Sequence, residues 1–97
     1  MRFGLSEDTI NAVVDVFAQF PQIEKAVLYG SRAKGNYRNG SDIDICLFGN
    51  IDLPLLQKIE TTIDDLLLPY TVDLAVYNNI QNQDLIDHIE RVGILFK

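Results

Sequence analysis

The sequence predicts an α/β domain with one small sheet covered by helices. Three observations carry this. Short runs rich in Val, Ile and Leu alternate with longer stretches of helical period, a Gly, Pro, Asn or capping residue marks most boundaries, and the 97 residues hold no internal repeat or linker-like run. A chain of this length is expected to make one domain with its own core, covering residues 1–97.

The elements follow in order. Ser6 is a good N-cap, with Leu5 before it and Ile10 after it in the positions of a hydrophobic staple. The first helix then carries Ile10, Val13, Val14 and Phe17 at i, i+3, i+4 and i+7, and Pro21 closes it. Residues 25–29 read as the first strand, Gly30 as a turn into a short helix, and residues 36–41 as a polar loop. The second strand spans 42–48 and breaks at Gly49-Asn50. Asp52 and Pro54 open a long helix with the stripe Leu56, Ile59, Ile63, Leu66 and Leu67, ending at Pro69. Residues 71–77 form the third strand, and Asn78-Asn79 turns the chain. The last helix runs from about Asn82 through Leu85, Ile86, Ile89 and Val92, with Gly93 as its C-cap. His88, the one histidine, is expected on the outer surface of that helix, and the apolar tail 94–96 either packs on the domain or meets a partner.

The chemistry concentrates in three places. Asp42 and Asp44 alternate with Ile43 and Ile45, so in a strand the two carboxylates share one face while the isoleucines enter the core. Asp73 stands between Val72 and Leu74, an unusual setting for a residue depleted from strands and almost never buried unpaired. If a neighbouring strand brings it beside the first pair, three carboxylates converge, and hard cations relieve their mutual repulsion. Two such ions about 3.5–4 Å apart can clamp the entering and leaving oxygens of an in-line phosphoryl displacement. Gly30-Ser31, at the end of the apolar run Val27-Leu28-Tyr29, allows backbone N–H groups and the Ser31 hydroxyl to approach phosphate oxygens. Arg32, Lys34 and Arg38 make this segment locally positive, with no acid between Glu24 and Asp42. Tyr37 and Tyr77 are candidates for stacking a base.

Competing phosphate motifs fail. Gly30 and Gly35 have P-loop spacing, but Asn36 and Tyr37 stand where that loop needs Lys and Ser or Thr, and no Gly-x-Gly-x-x-Gly occurs.

The set G-S-R-A-K-G, S-D-I-D-I and V-D-L resembles the minimal nucleotidyltransferase family within the DNA polymerase β-like nucleotidyltransferase superfamily, over almost the whole chain. The resemblance implies a mixed sheet, with Gly30 and Ser31 as the phosphate-holding turn and Arg32 and Lys34 beside it. It also implies that Asp42 and Asp44 are the metal-bridging pair, Asp73 the third catalytic carboxylate, two Mg2+ ions the cofactors and ATP the substrate. Lys34 stands where members often have Arg, which keeps the charge without the bidentate fork. Stand-alone members of this size are commonly antitoxins encoded beside a HEPN-domain toxin, usually an RNase. Some neutralise it by transferring AMP from ATP to a tyrosine. The resemblance therefore implies a HEPN-type partner; inhibition by binding alone, and transfer to a small molecule or an RNA end, are the alternatives.

Composition bounds the rest. With 97 residues there is little room for a module that holds template or drug, which favours a protein acceptor. A net charge of −6 argues against a general nucleic-acid surface, which needs basic stripes, and favours a basic partner. The one cysteine, Cys46, cannot form an internal disulfide and is expected in the core. No signal-peptide pattern is apparent, and no apolar run approaches the roughly 20 residues of a membrane span, so no membrane partner and a reducing cytoplasm are expected.

Overall fold

Helix α1 (Glu7–Ala18) begins where its capping chemistry places it: the Ser6 hydroxyl accepts from the Thr9 N–H at 3.1 Å. Leu5 and Ile10 close the staple inside the core. The buried face is Ile10, Val13, Val16 and Phe17, so Val16 takes the place expected for Val14, which is only half-buried. The structure, a computed structural model, describes residues 2–97.

Strand β1 (Ile23–Tyr29) leads directly into the short helix α2 (Gly30–Lys34), and β2 (Ile43–Gly49) pairs antiparallel with β1. Helix α3 (Leu53–Asp64) is capped by Asp52, whose carboxylate accepts from the Leu55 N–H at 3.0 Å. It crosses over to β3 (Val72–Val76), which pairs parallel with β2, as a crossover connection of this length permits. α3 ends at Asp64, earlier than the run to Pro69 implies; Leu67 lies outside it with φ 55° and is 87 % exposed. A 3-10 turn (Tyr77–Asn79) precedes α4 (Gln83–Val92), where the Asn82 amide oxygen accepts from the N–H groups of Asp84 and Leu85.

The apolar tail supplies a strand that the sequence reading lacks. β4 (Ile94–Leu95) pairs antiparallel with β1, giving a mixed sheet of order β3-β2-β1-β4. Gly93 is the C-cap of α4, its N–H donating to the Ile89 carbonyl, with φ −58° and not a left-handed backbone. Its missing side chain instead lets the chain pass against Val27 and the Ile89 carbonyl, where a Cβ would collide.

Strand alternation divides the sheet into two faces. Ala26, Leu28, Ile43, Ile45 and Leu47 meet α1 and α3, with Phe17, Leu28, Ile43, Ile45, Leu47 and Ile59 fully enclosed. Val27, Tyr29 and Cys46 turn the other way, where α4 covers them with Ile89 and Leu85. α4 leaves part of this second face open, and the acidic residues of β2 and β3 lie there. No helix is long and apolar enough to cross a membrane among the described residues.

Candidate active site

The ladder registers bring the candidate residues into a row. Asp44 is the Cα partner of Asp73 in the parallel β2–β3 pair and of Tyr29 in the antiparallel β1–β2 pair. Tyr29, Asp44 and Asp73 therefore cross three strands on one face, at the usual inter-strand spacing of about 4.8 Å. Asp44 is half-buried and Asp73 is exposed at the sheet edge. Asp42 is exposed and precedes β2 rather than lying in it, because Ile43 is the first residue to join the ladder.

The electrostatics record this gathering of like charge. Burial pushes the Asp44 carboxyl above the ordinary carboxylate range, and the charges of Asp73 and then Asp42 push it further, with Arg32 opposing. Burial, followed by the charges of Asp44 and Asp73, raises the Tyr29 phenol to about 12, so Tyr29 stays neutral beside the acids. Cys46, pushed up to about 11 by burial, is an inert core thiol.

Among the described residues no three His, Cys, Asp or Glu side chains are drawn into a ready coordination shell. The donor set nonetheless fits a hard divalent cation in kind. It offers carboxylate oxygens, one of them partly desolvated, and the sole ion pair among the described residues, Arg2 with Glu7, leaves all three acids unpaired.

The glycine turn lies against this row. Gly30 has φ 75°, and a Cβ at that position would strike the Asp44 carboxylate. Only glycine allows the turn to approach so closely, and Ser31 follows as the second residue of α2. Lys34 is exposed on α2.

Arg32 departs from the role the resemblance implies. It is 2 % exposed, and its guanidinium donates to the Ser41 carbonyl through Nε at 3.1 Å and Nη2 at 2.8 Å, and to the Phe3 carbonyl through Nη1 at 2.8 Å. Tyr37 and Tyr70 pack on it, 5.3 and 4.9 Å from their ring centroids. Its donors are thus directed into the protein, and it acts as a strut that fixes Ser41, the residue before Asp42. Tyr37 packs one face on Arg32, while Tyr77 stacks on Phe48 at 4.3 Å and donates to Glu90, so each ring already has a structural partner.

The sequence reading also misplaced His88. Its Nε2 accepts the Gly30 N–H at 3.0 Å, which brings α4 to the glycine turn. The signal was present: Leu85, His88 and Val92 are spaced i, i+3, i+7 and share one helix face.

Cavities of about 540 and 360 Å³ run between α3 and β3, lined by Ile63, Asp64 and Val72 among others, and include none of the candidate site residues. The acidic row lies instead beside the glycine turn, with Asp42 and Asp73 exposed.

A small mixed sheet with a glycine-serine turn at the end of its first strand, an acid pair across its next two strands and helices on both faces defines a nucleotidyltransferase domain. The chain belongs to the polymerase beta nucleotidyltransferase family, whose model matches residues 11–97. A candidate protein adenylyltransferase of Methanocaldococcus jannaschii is 41% identical over 51 residues, 53% of this chain and 48% of that protein. The chain therefore spans about half the length of the curated relative it matches. Among solved structures, a toxin–antitoxin with AMP-PNP superposes with TM-score 0.74 at 20% identity, over 91% of this chain and 72% of the other. A tri-AMPylated Shewanella oneidensis HEPN toxin in complex with MNT antitoxin gives TM-score 0.70 at 17% identity, covering 96% and 72%. At these identities the likeness concerns the fold.

Proposed function

We propose that residues 1–97 form a minimal nucleotidyltransferase domain that transfers AMP from ATP to a hydroxyl of a partner protein, in the manner of an antitoxin acting on a tyrosine of a HEPN-type RNase toxin in the cytoplasm. The observation that carries the reading is the Asp44–Asp73 pair on adjacent strands, with Gly30 in close approach to Asp44. Family membership supports the reaction class, and the fold likeness to toxin–antitoxin complexes supports the partner class.

Asp42, Asp44 and Asp73 would hold two Mg2+ ions, which when bound stabilise negative charge building on the transferring group. The chain's own residues bind and orient. The Gly30-Ser31 turn receives the diphosphate end of ATP through the hydroxyl and the backbone N–H of Ser31, and Lys34 adds a positive charge beside them. The acceptor hydroxyl attacks the α-phosphorus. A bond forms between the acceptor oxygen and phosphorus, the bond to the bridging oxygen breaks, and diphosphate leaves with the electron pair. In this reading Asp73, exposed at the edge of the sheet, takes the hydroxyl proton.

The test is the intact mass of the protein encoded by the neighbouring gene after incubation with this chain and Mg-ATP. A gain of one or more AMP units that is absent with Asp44→Asn is the expected result. A stable, silencing complex without mass gain would instead assign inhibition by binding alone, and labelling of RNA or a metabolite but no protein would assign another acceptor.

A further inference from the structure

One backbone donor of the glycine turn is already occupied. The Gly30 N–H donates to His88 Nε2 at 3.0 Å, joining residues 58 positions apart. An imidazole nitrogen accepts only when it carries no proton, so the neutral ring holds its proton on Nδ1. Its surroundings favour that state: burial, then the neighbouring charges of Lys34 and Arg91, push His88 below its ordinary pKa.

The ring has an aromatic neighbour besides its hydrogen-bond partner. It stands edge-on to Tyr29, with centroids 6.1 Å apart and planes at 80°, and Tyr29 is the ladder partner of Asp44. Ile89, the next residue, is buried at 2 % and anchors α4 to the sheet. The imidazole therefore reaches Gly30 from a helix anchored on the sheet. Gly30, with its left-handed backbone and no side chain, depends on outside contacts for the orientation of its peptide.

We propose that His88 is a positioning residue for nucleotide binding: by accepting the Gly30 N–H it sets the peptide that aims Ser31 at the phosphates. The role rests on the nucleotidyltransferase reading above and is distinct from it, because His88 touches the turn and not the reacting atoms. A preset turn binds phosphate without first having to become ordered, so its loss falls on affinity rather than on the chemical step.

The full chain is assayed for AMP transfer as wild type, His88→Ala and His88→Gln, with thermal midpoints measured alongside. Gln offers an amide oxygen at the reach of Nε2 and so keeps the acceptor. The expected result is a rise of about fivefold in KM for ATP in His88→Ala, the scale of one lost hydrogen bond. Turnover should stay within about twofold, and His88→Gln should restore KM. The 15N spectrum of the wild-type ring should show the Nδ1–H tautomer. An unchanged KM in an active His88→Ala protein overturns the positioning role alone, and so does an Nε2–H tautomer. A wild type that binds and transfers no nucleotide overturns the functional reading and this role with it, even where the tautomer is as expected.

Discussion

Asp44 and Asp73 are direct partners in the parallel β2–β3 ladder, and neither forms an ion pair among the described residues. Two like charges across one ladder position raise the free energy of the metal-free fold. Because the Asp44 carboxyl is raised in the folded protein, its favourable contribution is full below the ordinary carboxylate pKa and is lost as pH rises through the folded value. At neutral pH its charge is a cost. Asp44→Asn should therefore raise the thermal midpoint in EDTA at about pH 7.5 by a few °C, with the difference shrinking toward about pH 4. Added MgCl2 should raise the midpoint of the wild type but not of the variant, since a ligand that binds only the native state stabilises it. Transfer activity in Asp44→Asn or Asp73→Asn should fall about a hundredfold or more with the circular-dichroism spectrum unchanged.

Arg32 is a strut. Removing it leaves the Ser41 and Phe3 carbonyls without their charged donor in a buried setting. Arg32→Ala should cost about 2–4 kcal/mol of stability in urea unfolding, and Arg32→Lys roughly half as much, because Lys keeps the charge without the fork. If Arg32 instead gripped phosphate from solvent, Arg32→Ala would weaken ATP binding and leave stability nearly unchanged.

Gly30 tests the close approach of turn and acid. Gly30→Ala adds a methyl group against the Asp44 carboxylate at φ 75°, combining a steric conflict with an unfavourable backbone conformation. A stability loss of about 1–3 kcal/mol is expected, together with loss of transfer activity. Gly35, whose Cβ would meet nothing within 4 Å, provides the control: Gly35→Ala at φ 90° carries the backbone strain without the collision and should retain transfer.

His88 gives a pH dependence of the opposite sign to Asp44. Its folded pKa lies below the ordinary 6.5, so the unfolded chain takes up a proton that the folded chain refuses. The stability it contributes is present above 6.5 and is lost as pH falls through the folded value. Thermal midpoints measured from about pH 7 down to pH 5 should fall more steeply for the wild type than for His88→Gln, which does not titrate. Parallel curves would show that His88 is not neutralised by its surroundings.

Local signals made most of this fold legible. The caps Ser6, Asp52 and Asn82 all act as their chemistry indicates, and strand parity separated Asp44 and Asp73 from the core isoleucines and leucines. What the sequence did not reveal depends on partners distant in the chain. β4 has only two residues, too few for any period, and exists because β1 offers it an open edge. Arg32 resembled a phosphate ligand by charge, but its partners are the carbonyls of Phe3 and Ser41, which no motif encodes. α3 stops before Leu66 and Leu67 although both continue its apolar run: Leu66 still packs against the core from outside the helix, whereas Leu67, with φ 55°, faces solvent. The contact between His88 and Gly30 is the clearest case: the sequence reading put His88 on the outer surface of its helix, and only the folded sheet supplies its partner.

The central claim is transfer of a nucleotidyl group at the Asp44–Asp73 row, and the position of a radiolabel on ATP tests it most directly. With the purified chain, Mg2+ and the neighbouring gene's protein, label on the α-phosphorus should become bound to the acceptor while label on the γ-phosphorus leaves as diphosphate, and Asp73→Asn should abolish both. Transfer of the γ-label, or α-label transfer that persists in Asp73→Asn, would contradict the account.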